Sequence, residues 1–195
     1  YKLFEEKIFT YNNIKQSNRN PLLYTMNGAD GLKTGHTNES GYGLIGSVKR
    51  NDRRVTVVIN GLNSKKKRRF ESKRLFNIVF RETALLSLFN KQNTLVKANV
   101  WLGKKSEVEL VALKPFKKIV SPIEFNKTKI KTEWMDPIAS PIRKGDIVGT
   151  IHIIIPGKKT IKEDLISAED INKMSPLVRA KSILKFLLYG DAVDK

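Results

Sequence analysis

Residues 28–43 read GADGLKTGHTNESGYG, and the reading of the whole chain hangs on them. Lys33, Thr34 and Gly35 form a KTG triplet on a short strand, and two further apolar runs follow, Tyr42 to Lys49 and Arg54 to Asn60. Arg50, Asn51 and Asp52 separate these runs as a polar turn cluster, and Val55 to Ile59 is rich in β-branched residues. Such residues fit a pleated surface, so the two runs read as an antiparallel hairpin. From Glu71 to Phe89, Leu75, Phe76, Val79, Phe80, Thr83 and Leu86 recur at helical spacing. That spacing predicts a helix laying one buried stripe on the sheet. The fold class expected for residues 1–89 is therefore α/β, an antiparallel sheet with a covering helix.

Residues 90–168 have a different texture, short alternating runs broken by turn signals. Val96, Ala98, Val100 and Leu102 alternate with Lys97, Asn99 and Trp101, and Gly103 and Lys104 turn the chain into Val108, Leu110 and Ala112. Strands are also expected at Ile123 to Glu133, at Ile147 to Ile155 and at Thr160 to Ile166, with Pro156 and Gly157 reversing the chain between the last two. This spacing predicts a small all-β sandwich.

In residues 169–195 the pattern is helical again. Ser175 is placed as an N-cap, Pro176 as the first helical residue and Gly190 as the stop. Leu177, Ala180, Ile183, Leu184, Leu187 and Leu188 fall on one arc, with Arg179, Lys181 and Lys185 outside it. Such an amphipathic helix can lie in an anionic membrane interface or dock on the β domain, and the pattern does not choose between them.

The chain has 195 residues and a net charge of +18, which points to an anionic partner or surface. It contains no cysteine, which excludes a disulfide framework, a thiol nucleophile and a cysteine metal site. Only His36 and His152 are available for imidazole ligation, so no metal and no cofactor are expected. No apolar run approaches the roughly 20 residues needed to span a bilayer. The chain opens on Tyr1 and shows no signal-peptide pattern, so the start of the gene product is expected to lie upstream.

The segment NRNPLLYTMNGADGLKTGHTNESGYGLIGSV, followed by FESKRLFNIVF, resembles the C-terminal portion of a low-molecular-mass penicillin-binding protein, a serine-type D-alanyl-D-alanine carboxypeptidase. Order and spacing agree from Phe4 to about Phe80, and the family also carries a β domain and an amphipathic tail. The resemblance implies that a serine attacks the bond between two D-alanines of a peptidoglycan stem peptide, through an acyl-enzyme that β-lactams intercept. It implies that Lys33 supports proton movement and the substrate carboxylate, that Thr34 donates to that carboxylate, and that Gly35 lets the substrate backbone approach. The His36 amide is implied as one oxyanion-hole donor, Thr37 as a further polar contact, and Arg68 as the carboxylate-recognising arginine, with Arg69 as its neighbour in the basic run Lys65 to Arg69. A periplasmic location follows from the same resemblance, with the C-terminal helix as a peripheral contact to the outer face of the cytoplasmic membrane.

The chain departs from the family pattern in what it lacks. The family order is SxxK with the nucleophile, then SxN, then KTG. The two literal SxxK matches, Ser64 to Lys67 and Ser182 to Lys185, both follow KTG, and no SxN occurs. The expectation is a fragment without its nucleophile, inert alone, from an active carboxypeptidase. A non-catalytic cell-wall or partner-binding protein is the alternative. A basic nucleic-acid-binding module is a further one, but no nucleic-acid motif accompanies the charge.

Overall fold

The computed structural model describes residues 1–89 and 93–190 and falls into two units, Tyr1–Ala84 and Leu85–Lys195. The described residues are mostly sheet with a few helices.

The first unit opens with a short helix, α1 (Lys2–Glu5), and a small hairpin, β1 (Ile8–Tyr11) and β2 (Ile14–Ser17). Asn12 and Asn13 form its two-residue turn at positive φ, the geometry that asparagine tolerates best after glycine. A 3-10 turn at Pro21–Tyr24 leads into β3 (Ala29–Thr37), β4 (Gly41–Arg50) and β5 (Arg53–Leu62). These pair antiparallel in the order β3-β4-β5, with Arg50 opposite Arg53 across the expected turn. Burial along β5 alternates residue by residue from Arg53 to Asn60, as period-2 geometry requires. Helix α2 (Lys65–Glu82) then crosses the sheet. Leu22, Met26, Leu44, Val48 and Phe76 form the core between them.

Helix α2 differs from the sequence expectation at both ends. It begins at Lys65 rather than Glu71, because Ser64 caps it: the Ser64 hydroxyl oxygen accepts from the Lys67 backbone N–H at 3.1 Å. The basic run Lys65 to Arg69 is therefore the first turn and a half of a helix and not a loop. The Ser64 to Lys67 match thus has a structural use for its serine. At the other end the Thr83 hydroxyl donates to Val79 O at 2.6 Å, and Arg53 donates to Thr83 O at 2.6 Å. Thr83 is extended, and the chain continues as a strand, β6 (Ala84–Leu88). Leu86 accordingly joins the second unit's core instead of extending the helical stripe.

In the second unit β6 pairs with β9 (Phe116–Val120). The main sheet contains β7 (Val96–Trp101), β8 (Glu107–Ala112), β10 (Lys129–Trp134), β11 (Ile138–Ala139), β12 (Ile147–Ile154) and β13 (Ile161–Ser167), in the order β10-β12-β13-β8-β7-β11. Only the β11–β7 pair is parallel within it. Leu110, Ile151, Ile153, Ile155 and Leu165 are fully buried at its centre. The strand expected over Ile123 to Glu133 is in part a helix, α3 (Pro122–Lys127), and the strand is confined to β10. A capping box explains the difference. The Ser121 hydroxyl accepts from the Glu124 N–H, the Glu124 carboxylate accepts from the Ser121 N–H, and Pro122 occupies the first turn.

The tail forms α4 (Pro176–Tyr189), closed by Gly190 in the left-handed region. Ser175 stands at its N-cap but makes no side-chain cap bond. Leu177 is 86% exposed and Leu187 74% exposed, while the Phe186 ring meets Trp101 edge-on with centroids 5.1 Å apart.

Candidate active-site edge

Strand β3 carries the KTG triplet on an edge. It pairs with β4 alone, and among the described residues no strand occupies its other side. Its position is fixed from below by the fully buried Asn20, whose amide donates to Gly31 O at 2.8 Å while its side-chain oxygen accepts from the Leu22 N–H at 3.0 Å. At the start of β3, Asp30 forms an ion pair with Arg54 at 2.5 Å, and Arg54 lies 3.8 Å from the centre of the Tyr1 ring.

Lys33, Thr34, Gly35, His36 and Thr37 follow one another along this edge. Lys33 stands opposite Ile45, which stands opposite Val58, so the three form a row across the solvent face of the sheet. All three side chains are exposed. The Lys33 ammonium donates to Thr34 O at 2.7 Å. Gly35 is exposed, and a Cβ placed on it would meet no atom within 4 Å, so the approach to the backbone is open. The Thr37 hydroxyl donates to the Ser40 hydroxyl at 2.9 Å and accepts from the Ser40 N–H at 2.9 Å, closing the turn into β4.

Arg68 comes to the same edge from the second turn of α2. Its guanidinium reaches Gly35 O at 3.4 Å and lies 5.7 Å from the centre of the Tyr42 ring. The side chain is 7% exposed, its Nε has no hydrogen-bond partner, and no carboxylate pairs with it among the described residues. Burial pulls its pKa below the ordinary arginine value, and the nearby Tyr42 opposes that shift. An arginine so enclosed is still a cation, because its ordinary pKa lies far above neutrality. Arg69, the neighbour in the basic run, is exposed.

Tyr42 was not singled out from the sequence. It faces His36 across the β3–β4 ladder, with ring centroids 3.9 Å apart, and so touches both His36 and Arg68. Its only sequence signal is its register opposite the residue after KTG. Ser72 was also missed: it is fully buried one turn beyond Arg68, and its hydroxyl donates to Arg68 O at 2.7 Å.

Two family models match the chain in succession. Residues 1–64 match the D-alanyl-D-alanine carboxypeptidase family, and residues 85–173 match the C-terminal domain of penicillin-binding protein 5. The chain belongs to the low-molecular-mass penicillin-binding proteins of the D-alanyl-D-alanine carboxypeptidase family, as their C-terminal portion. It is 34% identical over 175 residues to the D-alanyl-D-alanine carboxypeptidase DacC of Escherichia coli, covering 89% of this chain and 44% of that protein. DacA of Haemophilus influenzae is 32% identical over 177 residues, covering 89% and 45%. Among solved structures, penicillin-binding protein 5 from Haemophilus influenzae superposes with a TM-score of 0.66 at 30% identity, over 88% of this chain and 51% of that one. Penicillin-binding protein 6B from Escherichia coli gives 0.61 at 25% identity, over 85% and 43%. The chain thus spans about half the length of the relatives it matches. These matches do not favour the alternative of a non-catalytic wall-binding protein.

Among the described residues no group of three or more histidine or acidic side chains could hold a metal ion, and no helix is long and apolar enough to cross a membrane.

Proposed function

We propose that this chain is the substrate-recognising portion of a serine-type D-Ala-D-Ala carboxypeptidase, which removes the terminal D-alanine of peptidoglycan stem peptides through an acyl-enzyme. The observation that carries the reading is Arg68: a buried guanidinium without a counter-ion, brought to the free edge of the KTG strand. Keeping a cation out of water without a partner is costly, and a carboxylate arriving there supplies the missing charge and the bidentate hydrogen bonds.

In this proposal the substrate backbone adds to the open edge of β3 at Gly35, where no side chain stands in its way. Its terminal carboxylate is held by Arg68 and by the Thr34 hydroxyl, which selects a free C-terminus. The Lys33 ammonium leaves its present acceptor, Thr34 O, to lower the potential at the reacting centre and assist proton movement. The His36 backbone N–H donates to the oxyanion of the tetrahedral intermediate, an interaction whose loss typically costs about 100- to 1000-fold in rate. Thr37 holds the turn at the end of this edge and offers a further polar contact. Tyr42 packs between His36 and Arg68 and keeps both in place.

The nucleophile belongs to another part of the enzyme in this reading, since Ser64 is spent as a helix cap and Ser182 contacts Met174. The site of action is the periplasm, where stem peptides are exposed, and β-lactams acylate the complete enzyme. The exposed leucines of α4 support a peripheral contact with anionic phospholipid. Incubation with a fluorescent penicillin tests the reading: the full-length protein should become covalently labelled and the isolated chain should not. Labelling of the isolated chain would reveal a nucleophile among these residues.

A further inference from the structure

The first turns of α2 are electrostatically inverted. A helix N-terminus carries the positive end of the peptide dipoles and normally attracts acidic side chains. Here the first turn has no acid, and Lys65, Lys66 and Lys67 within it and Arg69 just beyond it are all exposed. Among the described residues none of the four takes part in an ion pair, and the nearest acid along the helix, Glu71, is bound to Arg74 at 2.7 Å. A rise of 1.5 Å per residue puts all four within about 6 Å of one another along the axis, with Arg68 among them. Arg68 has the opposite character, being buried, with an unpartnered Nε and its guanidinium at the KTG edge.

We propose that these four exposed cations form a guide for acidic peptides, so that the site prefers substrates bearing carboxylates in addition to the terminal one. This rests on the carboxypeptidase reading and narrows its substrate class. The division of labour follows from solvent exposure. Arg68 is desolvated and acts at contact range on a single carboxylate. The four surface charges are hydrated and flexible, and act over about one Debye length, roughly 8 to 10 Å at moderate salt. Charges of that kind raise encounter rates by about 10- to 1000-fold without stabilising a bound geometry, so their effect belongs in kcat/KM and fades with salt. The inverted helix end offers the same field a second source, since the dipole adds to the lysines instead of cancelling them.

The test uses the full-length enzyme in lipid-free buffer and two peptides ending in D-Ala-D-Ala, one with two additional carboxylates and one with those carboxylates amidated. The expected preference for the acidic peptide is about 10-fold in kcat/KM at about 20 mM salt, falling to within about twofold at about 500 mM. The variant K65Q/K66Q/K67Q/R69Q should lose the low-salt preference, whereas K65R/K66R/K67R should keep it. Removing cations from a helix N-terminus does not threaten its folding, so the glutamine variant is readable. Equal rates on the two peptides in the unmodified enzyme, as expected of a patch that serves lipid instead, would overturn the guide. So would a preference that survives in the glutamine variant. Release of D-alanine from neither peptide would instead overturn the carboxypeptidase reading beneath it.

Discussion

Gly35 and Arg68 show how little side-chain material the proposed site uses. Gly35 is not required by its own backbone, for an added Cβ would meet nothing within 4 Å. Gly35→Ala should therefore leave the thermal midpoint of the full-length enzyme unchanged while lowering kcat/KM at least about tenfold, because the methyl group occupies the space a paired substrate backbone needs. Parallel melting and turnover measurements check this, and a lowered midpoint would show that the glycine serves the fold. The sequence singled out both as candidates, Gly35 through its triplet and Arg68 through the family resemblance. What was not legible was the burial of Arg68 or its lack of a partner. Those depend on the helix starting at Ser64, which moves the arginine from a solvated run onto a buried seam with Ser72 and Phe76.

The helices and strands make separate and local predictions. Gly46 on β4 allows the sheet and α2 to approach: a Cβ there would lie 2.6 Å from Leu22 Cδ1 and 3.0 Å from Phe76 Cε2. Gly46→Ala should destabilise the enzyme by about 1–3 kcal/mol, the usual range for overpacking, measured by denaturant titration. At α3 the Glu124 carboxyl is held below the usual carboxylate range, first by the Ser121 N–H and then by Lys158 at 2.9 Å. A depressed folded-state pKa contributes stability above the ordinary carboxylate range and loses it as pH falls through the folded value. The midpoint should therefore decline in acid, and Glu124→Gln should flatten that part of the decline. Sequence patterning found the β4–β5 hairpin because its alternation and its turn are both local. It misread Ile123 to Glu133 because an alternating run with β-branched residues looks like a strand, while the capping box Ser121–Glu124 decides the first five residues, Ile123 to Lys127, the other way. It extended α2 past Thr83 because helical spacing continues in the side chains after the backbone has turned to strand.

At the scale of the molecule, two units with separate cores carry the edge and the tail respectively. The boundary strand β6 lies where the sequence suggested the end of a helix, and the change is one of partners: Leu86 belongs to the buried cluster of the second unit, with Val120 and Leu110 among its members. The tail was legible as a helix from its proline start and glycine stop, but its surroundings were not. Leu184 and Leu188 are exposed, 58% and 67%, which leaves apolar surface that water does not favour. Deleting residues 174–195 should release the full-length protein from anionic vesicles in a sedimentation assay, and retained binding would point to another contact surface. Family membership is now plain, and the proposed substrate-recognising role rests on the unpaired guanidinium at the KTG edge. The most direct measurement compares full-length enzyme and its Arg68→Ala variant on a D-Ala-D-Ala peptide and on its C-terminal methyl ester. The wild type should favour the free acid by about 10- to 100-fold, the worth of a charged hydrogen-bonded contact, and the variant should lose that preference while keeping its rate on the ester. A variant that still prefers the free acid would contradict the assignment of Arg68 as the carboxylate clamp.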